Sequence, residues 1–249
     1  MNRQSIVILL SVFCSMLTFP QSFEQKVEAK FDQPNNIRQY LCKVASDITH
    51  NSLNDIKNLE DWEAVREERH QQFLEMLGLQ GKPFDGKRPP LNVTKTGSIQ
   101  KKGYRIEKLY YESLPGLFVP ANLYIPNGIK KPLPAILYVS GHAHSQKYNY
   151  QAHAKNFAEN GFVCLIIETI QRGEVEGEHL GQESNGWFHW YSRGYNPAGV
   201  EVWNGIRGLD LLSQMPEVDK NNLGVTGISG GGSQSWYLPA ADSRIKAAA

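Results

Sequence analysis

The sequence predicts an α/β fold, a mainly parallel sheet with helices on both faces. Three observations carry that prediction. Residues 134–141 (PAILYVSG), 161–168 (GFVCLIIE) and 221–229 (NNLGVTGIS) are near-continuous apolar runs, the pattern of strands buried on both faces. Helical periodicity lies between them, and strand–helix–strand–helix–strand is the order that parallel pairing requires. Ahead of them, residues 91–100, 104–113 and 120–126 are short alternating segments separated by Gly and Pro, which read as antiparallel strands with one wet face.

The elements follow in order. Residues 1–22 carry Arg3 and then an apolar run over 6–19. That run is too short to cross a bilayer and fits a cleaved secretory leader, so a secreted or periplasmic location is expected. Cys14 lies inside it behind the bulky Phe13, and no lipid or other stable membrane anchor is expected. Residues 23–90 read as an N-terminal helical segment and linker. Trp62, Val65, Arg69, Phe73, Met76 and Leu77 recur at helical spacing, Gly78 is a plausible stop, and 81–90 (GKPFDGKRPP) cannot continue a helix. Residues 91–249 form the α/β domain. Within it, a helix is expected over about 150–160. A long insertion spans 171–199, and Pro197 opens a further helix in which Val200, Trp203, Ile206, Leu209 and Leu212 recur.

Composition limits the function. The 249 residues carry 26 basic and 25 acidic side chains, for a net charge of +1, with no block of one sign. Nucleic acid is therefore not an expected partner. Two cysteines remain beyond the leader: Cys42 in a polar stretch and Cys164 in an apolar run. That is no disulfide framework, and Cys164 reads as a small core residue.

The chemistry concentrates at two places. Gly227-Ile228-Ser229-Gly230-Gly231 is G-x-S-x-G, lying between a buried strand and a small-residue segment that can turn helical. At such a sharp strand-to-helix turn the serine Oγ projects above the sheet edge, and the flanking glycines are needed where side chains would collide. Ser229 is thus the candidate nucleophile. Acyl transfer also needs two N–H donors aimed at the developing oxyanion. The N–H of Gly230 is one candidate, and the N–H of His142, in the loop Gly141-His142-Ala143-His144 after an earlier central strand, is the other. The H-x-H of His142 and His144 resembles part of some zinc sites, but no third ligand cluster is evident. The expectation is loop histidines at a pocket mouth, with no metal and no cofactor. In the insertion, Trp187, Trp190 and Tyr191 are candidates to bind substrate, or else they only pack the loop onto the sheet. Glu168, at a strand end, is placed to hold that insertion.

GHAHS, RGYNPAGVEVWNGIRGLDLL and VTGISGGGSQ together resemble the α/β-hydrolase superfamily, most nearly the secreted bacterial branch related to acetyl xylan esterases and dienelactone hydrolases. The resemblance covers about residues 91–249. It implies an α/β-hydrolase fold and a serine hydrolase acting on a small-molecule or carbohydrate ester, with an acylated carbohydrate preferred. A serine peptidase, a lactone hydrolase or a non-catalytic binding protein of the same fold are the alternatives. The best-known acetyl xylan esterases usually carry glutamine after the serine, and glucuronoyl esterases carry arginine; here Gly230 stands there. The resemblance also places an acid and then a histidine downstream of the serine. No histidine follows Ser229, and the acid that does, Asp242, is not at the expected place. The chain therefore reads as the N-terminal two-thirds of an enzyme whose last strands are missing. A natural pseudoenzyme would show the same pattern, and so would an enzyme drawing its base from upstream, at His142 or His189. Oligomeric state is not readable.

Overall fold

A computed structural model describes residues 36–249. The expected leader, 1–22, and the start of the N-terminal segment lie outside the described residues. The chain divides into two compact units, Met1–Val65 and Arg66–Ala249. In the first, α1 (Ile37–Asn51) is capped by Asn36, whose side chain accepts from the Gln39 N–H at 2.9 Å. It has no buried residue. Helix α2 (Leu59–Met76) runs across the boundary and stops where the sequence indicates. Gly78 adopts φ 70°, and the Leu79 N–H turns back to the Leu74 carbonyl, a glycine-dependent helix ending. Leu77 and Leu79, read from sequence as helix end and linker, are buried in the main core.

The second unit is built on seven strands: β1 (Thr94–Gln100), β2 (Tyr104–Leu114), β3 (Leu117–Pro126), β4 (Leu133–Val139), β5 (Val163–Ile167), β6 (Val218–Gly227) and β7 (Ile245–Ala248). Their order across the sheet is β1-β2-β3-β5-β4-β6-β7. The first three strands form an antiparallel meander that joins β5, and β5, β4, β6 and β7 run parallel. Between β4 and β5 lie α3 (Gln146–Asn149) and α4 (Gln151–Glu159). Helices α5 (Gly181–Asn185), α6 (His189–Ser192) and α7 (Pro197–Ser213) lie between β5 and β6, and α8 (Gly230–Ala241) follows β6.

Side chains of the central strands alternate between two apolar layers. Val163, Leu165 and Ile167 of β5 join Ala135, Leu137 and Val139 of β4 and the apolar face of α7. Cys164 and Ile166 point to the other layer, with Tyr104, Tyr124, Tyr138, Ala154 and Ala158. Each fully buried aliphatic side chain contributes about 1.5–3 kcal/mol relative to exposure. Covering both faces leaves the C-terminal strand ends of β4, β5 and β6 as the open edge from which loops project. Among the described residues no helix is long and apolar enough to cross a membrane.

Candidate active site

Strand β6 delivers Ser229 to the top of the sheet. Its backbone sits at φ 57°, ψ −120°, a conformation that L-residues avoid and that projects the exposed side chain off the strand-to-helix turn. The flanking glycines make the turn possible. A Cβ at Gly227 would lie 2.5 Å from the Val139 carbonyl oxygen, and one at Gly231 would lie 2.0 Å from the same oxygen. The elbow is therefore pressed against the end of β4.

The loop after β4 packs on this elbow. A Cβ at Gly141 would lie 2.5 Å from the Ile228 carbonyl oxygen and 3.3 Å from the Ser229 Cβ. Buried polar bonds hold the loop. The Gln146 side chain donates to the Gly141 and Ala143 carbonyls at 3.0 and 2.7 Å and accepts from the Thr169 N–H at 3.0 Å. Ser140 Oγ donates to the Ile167 carbonyl, and Thr169 Oγ1 donates to the Ser140 carbonyl. Among the described residues neither the His142 N–H nor the Gly230 N–H donates to a backbone carbonyl. Glu168 holds the start of the insertion, accepting from the Glu174 N–H and from Lys147 Nζ, both at 2.8 Å.

The side chain of His142 lies over Gly230: a Cβ there would be 2.3 Å from the imidazole Cε1. Its Nε2 is 2.7 Å from Nε2 of His179, in the insertion. Nδ1 of His179 donates to the Ile170 carbonyl at 2.9 Å, which leaves its Nε2 as acceptor and makes His142 Nε2 the donor. Glu201, on α7, lies beyond them. Its Oε2 accepts from Gln234 Nε2 at 2.8 Å, and its Oε1 is buried with no hydrogen-bond partner. Burial lowers both imidazoles below the ordinary histidine range, with further lowering of His142 by Arg172, and of His179 by His142 and Arg172. Burial pushes the Glu201 carboxyl up to about 8, against the bond from Gln234. His142, His179, Glu201, Gly230 and Tyr237 help line a cleft of about 630 Å³.

The insertion aromatics divide. Tyr191, with Phe188, lines this cleft. Trp187 and Trp190 do not: they pack edge to face at 5.3 Å and close over Gly181, where a Cβ would lie 2.3 Å from Trp187. His144 and His189 are exposed away from the cleft lining. Asp242 is engaged elsewhere, in an ion pair with Arg244. Sequence reading missed His179, Glu201 and Gln234. One signal was available for Glu201, a lone carboxylate in the apolar opening of α7, AGVEVW.

Comparison with known proteins agrees with this architecture. Residues 88–249 match the family model of acetyl xylan esterase (AXE1). An uncharacterized protein of Pseudomonas aeruginosa is 27% identical over 141 residues, 56% of this chain and 34% of that protein. A Bacteroides fragilis protein proposed to be an acetyl xylan esterase superposes with a TM-score of 0.63 at 18% identity, over 77% of this chain and 53% of its own. An acetyl xylan esterase from Paenibacillus sp. R4 gives 0.55 at 22% identity, over 74% and 58%. The chain thus spans about a third of the Pseudomonas relative and just over half of these solved structures. With two thirds of its length matched and a sheet whose elbow carries Ser229, the chain belongs to the acetyl xylan esterase family, within the α/β-hydrolase superfamily.

Proposed function

We propose that the protein is an exported serine hydrolase that cleaves esters by acyl transfer, with an acylated carbohydrate as substrate. One observation carries the reading: Ser229 is held at φ 57° on a strand-to-helix turn, beside two backbone N–H groups that bond no backbone carbonyl. Oγ of Ser229 attacks the ester carbonyl carbon, and its proton passes to a base. The carbonyl oxygen, now an anion, accepts from the N–H groups of His142 and Gly230. Collapse expels the alcohol, which takes the proton, and water then releases the acid from the acyl-enzyme. No histidine follows Ser229 in the sequence, so this reading assigns the base and its orienting acid to residues outside these 249. Tyr191 and Phe188, on the cleft wall, offer flat faces against which a sugar ring stacks. The aromatic cleft and the family membership support the carbohydrate ester, and the apolar N-terminal run supports export.

The test uses the complete product of the gene. It is expected to hydrolyse p-nitrophenyl acetate and to be labelled by a fluorophosphonate at Ser229. Ser229→Ala is expected to lower kcat by several orders of magnitude, on the order of 10⁴ to 10⁶, as loss of a triad nucleophile does. Full activity in a folded Ser229→Ala protein would falsify the reading.

A further inference from the structure

His142, His179 and Glu201 come from three separate parts of the chain: the loop after β4, the insertion and α7. Each offers one ligand atom, and the three atoms lie within 4.8 Å of one another. We infer that they form a binding site for a divalent first-row transition ion, zinc by ligand type, with an open coordination position facing the cleft.

Four features of the geometry support this. First, two imidazoles and one carboxylate are the donor set of open zinc sites, in which the fourth position is left to water or substrate. Second, His179 is already oriented as a metal ligand is. Its Nδ1 donates to the Ile170 carbonyl at 2.9 Å, which fixes the ring and presents the Nε2 lone pair to His142. Third, the Glu201 carboxylate has a buried oxygen that nothing satisfies. The ring nitrogen facing it, His179 Nδ1, is 3.8 Å away, too long for a hydrogen bond, and already donates to Ile170, while the Glu201 side chain is only 11% exposed. A buried acceptor with no donor calls for one, and a cation supplies it. Gln234 holds the other oxygen at 2.8 Å, so the carboxylate is positioned while one oxygen stays free.

Fourth, the movements needed are small. Ligand atoms around a tetrahedral zinc with bonds near 2.0–2.1 Å stand about 3.3 Å apart. The two Nε2 atoms, at 2.7 Å, must part by a fraction of an ångström, and the carboxylate must close in. His142 is the member free to move, because its side chain is exposed. Gly230 allows the ring to sit there at all. Arg172 lies near both imidazoles and its charge opposes a cation; the Glu201 carboxylate offsets it once the ion has displaced the carboxyl proton. The three ligands and Gly230 line the same cleft, so an exogenous oxygen ligand reaching the ion would lie beside the elbow. The inference is independent of whether Ser229 is a nucleophile.

The test is direct binding of Co²⁺ and Zn²⁺ to the untagged protein after chelator treatment. One equivalent of Co²⁺ is expected to give the visible absorption of a tetrahedral nitrogen–oxygen site, and Zn²⁺ is expected to abolish it. His179→Ala and Glu201→Gln should each weaken Co²⁺ binding by more than the roughly 10–100-fold that loss of a merely supporting partner produces. His144→Ala and His189→Ala serve as controls and should bind as the parent does. His142→Ala, which alters an exposed side chain, replaces any variant that fails to fold by circular dichroism. Absence of the Co²⁺ spectrum overturns the inference. So does binding that survives in the folded His179→Ala and Glu201→Gln proteins.

Discussion

Three neighbouring glycines around Ser229 meet two different constraints. Gly227 and Gly231 face a backbone carbonyl that cannot move without breaking β4. Gly230 faces an exposed imidazole that can swing away. Gly231→Ala is therefore expected to destabilise the protein by about 3 kcal/mol, as overpacking against fixed atoms does. Gly230→Ala should shift stability by under about 1 kcal/mol, because the ring yields and alanine favours the helix. Thermal melts of the two variants check both values; equal losses would contradict the contrast. The elbow was legible in the sequence because its five residues are contiguous and each has a local reason. His179 and Glu201 were not, because His142 lies 37 residues from His179 and only the folded sheet joins them. The tryptophans of the insertion were legible as aromatic mass. That neither would face the cleft was decided by Gly181, whose missing side chain admits Trp187 and Trp190 as packing.

Among the elements, α7 carries the most. Its opening was legible from Pro197, which sits in its first turn; the structure adds Asn196 as the cap, accepting from the Ala198 N–H at 3.0 Å. Its apolar positions were legible as well, and Trp203, Ile206, Leu209 and Leu212 all enter the core. Its polar content was not. Arg207 is buried and bonded to Asp210 and to the Pro89 carbonyl, while Asp210 also takes Arg88 at 2.6 Å and Arg244 at 2.8 Å. From periodicity these two positions are merely charged. Asp210→Ala leaves the Arg207 guanidinium buried without its carboxylate. The expected loss is about 3–5 kcal/mol in urea unfolding, the range for breaking one side of a buried ion pair. A loss near zero would show that Arg207 finds water instead.

At the scale of the molecule, the site is assembled from the C-terminal ends of β4, β5 and β6, adjacent strands of one sheet. The parallel core and the antiparallel meander could be read from apolar runs and alternation. The insertion of β5 between β3 and β4 could not, since strand order is a matter of long-range pairing that no local pattern encodes. Global stability should also report on the ion network of Asp242, Arg244, Asp210 and Arg88. Burial pushes the Asp242 carboxyl up, but hydrogen bonds and charge from Arg244, with Arg88 behind it, outweigh this and hold it below the usual aspartate value. A carboxyl depressed on folding stabilises fully above its unfolded value and loses that contribution as pH falls through the lower folded one. The Asp242 contribution to the unfolding free energy should thus be level near neutrality and fall as pH drops below about 4, the unfolded aspartate range. The fall should be shallower in Arg244→Gln; an unchanged slope would assign it to other carboxylates. The contact of His142 with Gly230 reaches further than either residue. Positions 142 and 230 compete for one volume, so a side chain at 230 evicts the imidazole and a histidine seated at 142 excludes the side chain. Substitutions at 142 and 230 are therefore expected to be non-additive in stability. A glutamine or arginine placed at 230 is expected to push the His142 ring away from His179.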